Sequence, residues 1–221
     1  MSISFILLNY PQIFSLVVWT LIAVVLALRY FNISIFARVS YKYLTLFVIV
    51  LRIVYDSLLS YGQYITWQSN PFTKIFLSTP LTKDVPLLFG TEWLRPYLDH
   101  KLGYFFFYVY QHFFLASIIT FVTVLVIAGL LKLWAYYKPT DFKNGDIVVI
   151  ALTFLIVGYP GIVILLPLGF LILILLQIVT KFFFKDKIVY LPMAFLLAVP
   201  VVLFFSAEIL KFFNLYVLLQ L

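Results

Sequence analysis

Long apolar runs separated by short polar stretches organise this chain almost from end to end. A helix rises about 1.5 Å per residue, so about 20 apolar residues carry it across a hydrocarbon layer roughly 30 Å thick with every backbone hydrogen bond closed internally. Runs of this kind cover residues 11–28, 43–64, 104–131 and 188–207. The first is free of charge from Ile13 to Leu28 and closes at Arg29. The expected fold is therefore all-α, a polytopic bundle of membrane helices.

A fifth apolar block, residues 147–179, is 33 residues long. One upright helix of that length would extend about 50 Å, too far for the layer. The block is interrupted at Gly158-Tyr159-Pro160-Gly161, where proline removes a helix donor and two glycines permit a turn. Two segments are expected, 147–158 and 161–179, the first of them short for a full crossing. A single tilted helix, bent with the help of Pro167, is the alternative.

Lysine and arginine near span ends stay on the cytoplasmic side. The 29–42 connection holds Arg29, Arg38 and Lys42 with no acid, 132–146 holds Lys132, Lys138 and Lys143, and 180–187 holds Lys181, Lys185 and Lys187. All three are expected inside, in a prokaryotic cytoplasmic (inner) membrane. A path that starts and ends inside crosses an even number of times, which favours two segments within 147–179 and puts their turn outside. Six segments in one transmembrane domain, residues 1–221, result, with both termini outside. The apolar N-terminus lacks the charged leader and cleavage site of a signal peptide, so its first span is expected to be retained.

The 65–103 connection, 39 residues, is the long one. Its charges nearly balance, with Lys74, Lys83, Arg95 and Lys101 against Asp84, Glu92 and Asp99, which suits the outer face. Phe72, Ile75, Phe76, Leu77, Leu87, Leu88, Phe89, Trp93, Leu94 and Tyr97 are interleaved with prolines. Short interfacial helices anchored by aromatic rings are expected there.

Composition changes this picture only by excluding alternatives. A chain 65% apolar and 10% charged lacks the polar surface of a soluble domain, whose charged share is about a quarter. The net charge of +7 is spread singly along span ends, so it reads as membrane topology and not as a nucleic-acid face. The partners expected are the lipid bilayer and other membrane proteins. Cysteine is absent, which removes disulfides, thiolate metal sites and cysteine nucleophiles together.

Within the spans, Arg52 and Asp56 stand four residues apart and share a helix face. Ionisable groups at that depth are costly, which makes them a functional candidate by default, and an internal ion pair is the plainer reading. Tyr55, Tyr61, Gln63 and Tyr64 make the same segment unusually polar, as a bundle-facing or water-lined surface would be. His100 and His112 are the two histidines, and their spacing gives no assurance of convergence, so no metal or haem and no other cofactor is assigned. Glu208 and Lys211 mark the interface at the end of the last span. A His-Glu-x-x-His helix, a Gly-x-Ser-x-Gly elbow and a phosphate-cradling glycine loop are all missing.

Two stretches resemble known families. From Leu44 to about Leu131 an apolar span is followed by Ile65-Thr66-Trp67, Asn70-Pro71-Phe72, Ser78-Thr79-Pro80-Leu81 and a second span. This order resembles the repeat unit of the YggT family of small bacterial membrane proteins, and implies a non-enzymatic assembly or scaffold role carried by Trp67, Asn70, Pro71, Thr79 and Pro80. Only Arg95-Pro96 and Asp99 stand where that family has an arginine-rich segment and an Asp-x-Ser-Pro element. From Lys143 to about Ala207, Lys143-Asn144-Gly145-Asp146 opens an apolar segment, with Ile188-Val189-Tyr190-Leu191-Pro192 later. This is similar to the second half of the type IV prepilin peptidases, in which the Gly-x-Gly-Asp aspartate is catalytic; the resemblance implies Asp146 in that role, although Lys143 replaces the first glycine. Aspartyl catalysis needs a second carboxyl sharing a proton, and Asp56, Asp84, Asp99 and Asp141 are each poorly placed or out of context.

The expected function is a non-enzymatic assembly factor, scaffold or small subunit of a membrane complex. Ala128 and Gly129, the Gly158–Gly161 break and the polar surface at Arg52 and Asp56 are its expected contact surfaces, with intrachain packing as the alternative for the glycines. A prepilin-peptidase-like protease, or its degenerate relative, is one competing reading. A transporter or channel component is another, since broken helices build sites at mid-depth.

Overall fold

A computed structural model describes residues 11–33, 35–36, 38–82, 84–87, 92–139, 142–143, 145–183 and 190–215. Six principal helices organise these residues: α1 (Pro11–Tyr30), α2 (Tyr41–Ser69), α3 (Gly103–Tyr137), α4 (Asp146–Val157), α5 (Ile162–Phe183) and α6 (Leu191–Phe212). Among the described residues, all but α4 are long and apolar enough to cross a membrane. Helix α4, with 12 residues, extends about 18 Å and falls short. The expected break of 147–179 is present as two separate helices.

The helices outrun the apolar runs because a helix ends where its backbone is denied, not where the hydrocarbon ends. Helix α2 continues past residue 64 to Ser69, and stops because Asn70, extended at φ −101° and ψ 120°, precedes Pro71. The Asn70 side chain then accepts from the Phe72 N–H and caps the next short turn, Pro71–Lys74. Short turns at Ile75–Leu77, Glu92–Leu94 and Arg95–Leu98 follow in the connection expected to hold them; Leu88 and Phe89 lie outside the described residues. Trp67 is the hub of this region, buried among Phe76, Tyr104, Phe105 and Tyr108. The Thr79 carbonyl accepts from the Tyr104 N–H, and the Leu81 N–H donates to the Leu98 carbonyl, tying the connection to the start of α3.

Contacts along the helices fix their directions. Tyr41 meets Gly145 and Arg52 meets Leu155, so α2 and α4 run parallel. Phe14 stacks on Tyr55 and Arg29 lies over Tyr41, so α1 is antiparallel to both. Gly161 lies against Val202 and Gly169 against Phe195, which sets α5 antiparallel to α6. At one end of the bundle the Lys143 ammonium sits 3.8 Å from the centre of the Tyr190 ring, close to Arg29 and Tyr41. The described flanks of the three basic connections, at Arg29 and Tyr41, at Lys143 and Gly145, and at Tyr190, thus share one end, called here the basic end.

Helix α4 is the axle. Eight of its twelve residues are buried, including Ile150, Leu152, Phe154 and Ile156, which are wholly enclosed. Helices α1, α2, α3 and α6 surround it, and their outward faces carry exposed Leu, Val, Ile and Phe suited to lipid. Gly169 allows the Phe195 ring to lie against α5, where any Cβ would collide with it. Gly129, by contrast, has open space where a Cβ would stand, so its expected use in intrachain packing is not what the fold shows.

Candidate functional site

A short axle inside long walls leaves a vacancy. Helix α4 ends beside Arg52, whereas α2 runs on to Ser69, 17 residues and about 25 Å farther. In the column beyond α4 lies a cavity of ≈ 390 Å³, bordered by α1, α2, α3, the 158–161 turn and α6. Its polar lining comes from Arg52, Tyr55, Asp56, Ser117, Tyr159 and serines 15 and 206. Few such groups appear elsewhere in the buried interior, where Thr120, Thr153 and Asp146 are the other buried polar residues described.

Ending a helix at mid-depth strands its last carbonyls, which water would satisfy in a soluble protein and hydrocarbon cannot. Arg52 meets that demand. Its Nε and Nη2 donate to the Leu155 carbonyl at 3.0 and 2.8 Å, and Nη2 reaches the Ile156 carbonyl at 3.4 Å. A cation also suits the negative end of the α4 dipole. The guanidinium carbon lies 4.9 Å from the centre of the Trp19 ring, which covers the charge from α1.

Gly158 makes this possible in two ways. Its φ of +67° turns the chain out of α4, and a side chain there would occupy the space of the Arg52 guanidinium. Beyond it, the Tyr159–Pro160 peptide is cis, and the Tyr159 N–H donates to the Thr120 hydroxyl at 2.9 Å. Thr120 in turn donates to the Ala116 carbonyl, so α3 holds the turn. Arg52 and Thr120 thus meet the Leu155 and Ile156 carbonyls and the Tyr159 N–H that the break frees.

Asp56 stands one helical turn beyond Arg52, toward the far end. It does not form the expected ion pair: among the described residues no contact within 4.0 Å joins the two, because the Arg52 fork is turned to α4. The Ser117 hydroxyl lies beside the carboxyl, and Asp56 Oδ2 is buried with no hydrogen-bond partner among the described residues. Tyr55 and Ser15 share a hydrogen bond across the α1–α2 seam. Opposite them, residues Tyr110–Phe114 interrupt α3 with a π-helical turn, and Phe113 from this turn borders the cavity.

The remaining expected residues lie apart from this cluster. Gln63 is half-buried farther along α2 and does not border the cavity. Trp67, Asn70, Pro71, Thr79 and Pro80 belong to the connection at the far end. His112 is exposed, its ring 4.1 Å from that of Tyr108, and His100 is exposed in the loop. No group of three or more metal-ligating side chains occurs among the described residues.

Asp146 is buried at the start of α4, at the basic end, where its Oδ2 accepts from the Lys143 N–H at 2.9 Å. Its electrostatic neighbours are Tyr30, Tyr41 and Lys143. That arrangement holds the entry to α4, and among the described residues no second carboxyl of the kind aspartyl catalysis requires stands beside it. Asp141 lies outside the described residues.

Ser15, Trp19, Ser117, Thr120 and Ser206 were not expected at the site, and Tyr159 was expected only as part of the helix break. One signal was available: Trp19 sits in the middle of its span, whereas membrane tryptophans favour the interface. The serines gave none, since an isolated hydroxyl in a helix can bond its own backbone. No family model, no curated protein and no solved structure matches this chain.

Proposed function

We propose that this chain is a non-enzymatic membrane protein that receives a polar guest in its intramembrane cavity, acting as the small binding subunit of a transporter-type complex. In this reading 29–42, 132–146 and 180–187 face the cytoplasm of a prokaryotic inner membrane, α4 and α5 make a hairpin completing six segments, and the cavity opens toward the outer side. The observation that carries it is the cavity reaching Arg52 and Asp56 and walled by hydroxyls from α1, α2, α3, α6 and the 158–161 turn. Polar walls at membrane depth are costly unless water or a guest uses them.

An assembly or scaffold role is the second reading, favoured by Gly129, which offers a small open spot on the apolar face of α3 to a neighbouring helix. A protease has no comparable support, because no acid is paired with Asp146 among the described residues.

The absence of cysteine supplies a clean test. Ser206→Cys, bordering the cavity, should react with a membrane-impermeant maleimide added outside intact cells, whereas Ala198→Cys, wholly buried in α6, should not. Protection of both positions, or labelling of Ser206→Cys only from the cytoplasmic side, sinks the proposed cavity or its orientation respectively.

A further inference from the structure

The guest's chemistry can be read from what the cavity leaves unmet. Arg52 spends Nε and Nη2 on the end of α4, and no protein acceptor for Nη1 is found among the described residues. Asp56 is 94% buried and borders the same cavity, with the Ser117 hydroxyl beside its carboxyl and no hydrogen-bond donor on Oδ2 among the described residues. The wall therefore presents an unused cationic donor and an unused acceptor one helical turn apart, about 6 Å between their β-carbons.

Three classes of guest can be weighed against that wall. A net anion would satisfy Arg52 and repel Asp56, and a net cation would do the reverse. Either would leave one net charge at membrane depth, where an uncompensated charge costs several kcal/mol. A neutral polyol would bond both groups through hydroxyls but bring neither of them an opposite charge. A guest carrying an anionic group and an N–H-bearing ammonium a few ångströms apart answers both at once and keeps the site neutral.

Resting on the binding reading above, we infer that the Arg52–Asp56 cavity is a site for a compact zwitterion: its anionic group on the Arg52 guanidinium and its ammonium on the Asp56 carboxyl, flanked by the cavity hydroxyls. Two sources share that chemistry, the headgroup of an ethanolamine phospholipid and a free amino acid. A cavity of ≈ 390 Å³ suits either, since it falls at the small end of ligand sites.

The test uses the full chain in phosphatidylcholine nanodiscs, whose quaternary ammonium has no N–H to offer Asp56. Calorimetry, with tryptophan fluorescence of a chain keeping Trp19 alone and Phe at the other three tryptophans, follows titration with glycerophosphoethanolamine, glycine, ethanolamine, glycerol phosphate and sorbitol. Saturable binding of a zwitterion, with ethanolamine and glycerol phosphate each weaker by roughly ten-fold or more, is the expected result. Preference for glycerophosphoethanolamine assigns the lipid source, and preference for glycine the free solute. Asp56→Asn should weaken the zwitterion by roughly ten- to hundred-fold and bring it level with glycerol phosphate. Should that variant fail to fold, maleimide-labelled Ser206→Cys, whose adduct fills part of the cavity, should lose zwitterion binding.

Equal or tighter binding of ethanolamine, glycerol phosphate or sorbitol overturns the zwitterion and leaves the binding cavity standing. So does silence of all five probes while Ser206→Cys remains reactive. Silence together with an unreactive Ser206→Cys overturns both.

Discussion

On the basic-end side of Gly158 the centre of the bundle is a helix, and on the far side the same column is a cavity. Leu152, Phe154 and Ile156 are enclosed on the first side, by apolar neighbours from α1, α3 and α6. On the second side Tyr55, Asp56 and Ser117 border open space. The walls are the same helices throughout, so the contrast comes from the length of α4 alone. Stopping one helix at mid-depth creates the vacancy, and satisfying its stranded carbonyls requires the cation that then marks the vacancy's floor.

The contrast between the two halves is lost most completely if the filled one is emptied. Phe154→Ala should cost about 3–5 kcal/mol, read as a lower unfolding temperature in detergent, because the ring's contacts with Phe195 and the surrounding core are lost and rigid helices close the gap poorly. A drop of less than about 1 kcal/mol would mean that α4 is not the tightly held axle described.

At the boundary, Arg52→Leu should cost about 3 kcal/mol, since two buried carbonyls lose their donors. Arg52→Lys should recover part of that, leaving a loss of about 1–2 kcal/mol, because an ammonium keeps the charge without the planar fork. Equal losses for Leu and Lys would show that shape, and not donation to α4, is what the position supplies. Gly158→Ala is expected to cost about 1–3 kcal/mol and to release Arg52 from the Leu155 carbonyl. Infrared carbonyl shifts with labelled Leu would detect the release.

The smallest effect lies outside the bundle and sharpens the contrast by its weakness. Exposed Glu92 accepts hydrogen bonds from Arg95, which hold its carboxyl below the usual glutamate range. A depressed folded pKa contributes order above the unfolded value near 4.5 that is lost as pH falls through the folded value. Acidification into that window should raise amide exchange at Glu92–Leu98 and leave α4 unchanged. Protection of these turns that is flat with pH would show the pair to be idle.

Much of the architecture was legible because a membrane leaves a chain few options. Uninterrupted apolar runs must be helices, Gly158-Tyr159-Pro160-Gly161 must break one, and Arg52 and Asp56 must face inward. Helix ends were less legible, since Asn70-Pro71 and not hydrophobicity stops α2. The site was half legible: Arg52 and Asp56 stood out as charges in an apolar run, but their i,i+4 spacing suggested that they pair with each other. Spacing along one helix says which residues share a face, and says nothing about a better acceptor arriving from a helix about a hundred residues away.

By itself the sequence determined that the described chain forms apolar helices of crossing length, that basic connections alternate with them, and that one helical block is interrupted. Those properties are local, set by runs of side chains and by proline and glycine in the backbone. Only the tertiary structure decided that the interrupted helix lies at the centre, that Arg52 caps it, and that Asp56, serines from three helices and Trp19 meet around the space it leaves. Convergence of that kind depends on the directions and levels of separate helices, which no single segment encodes.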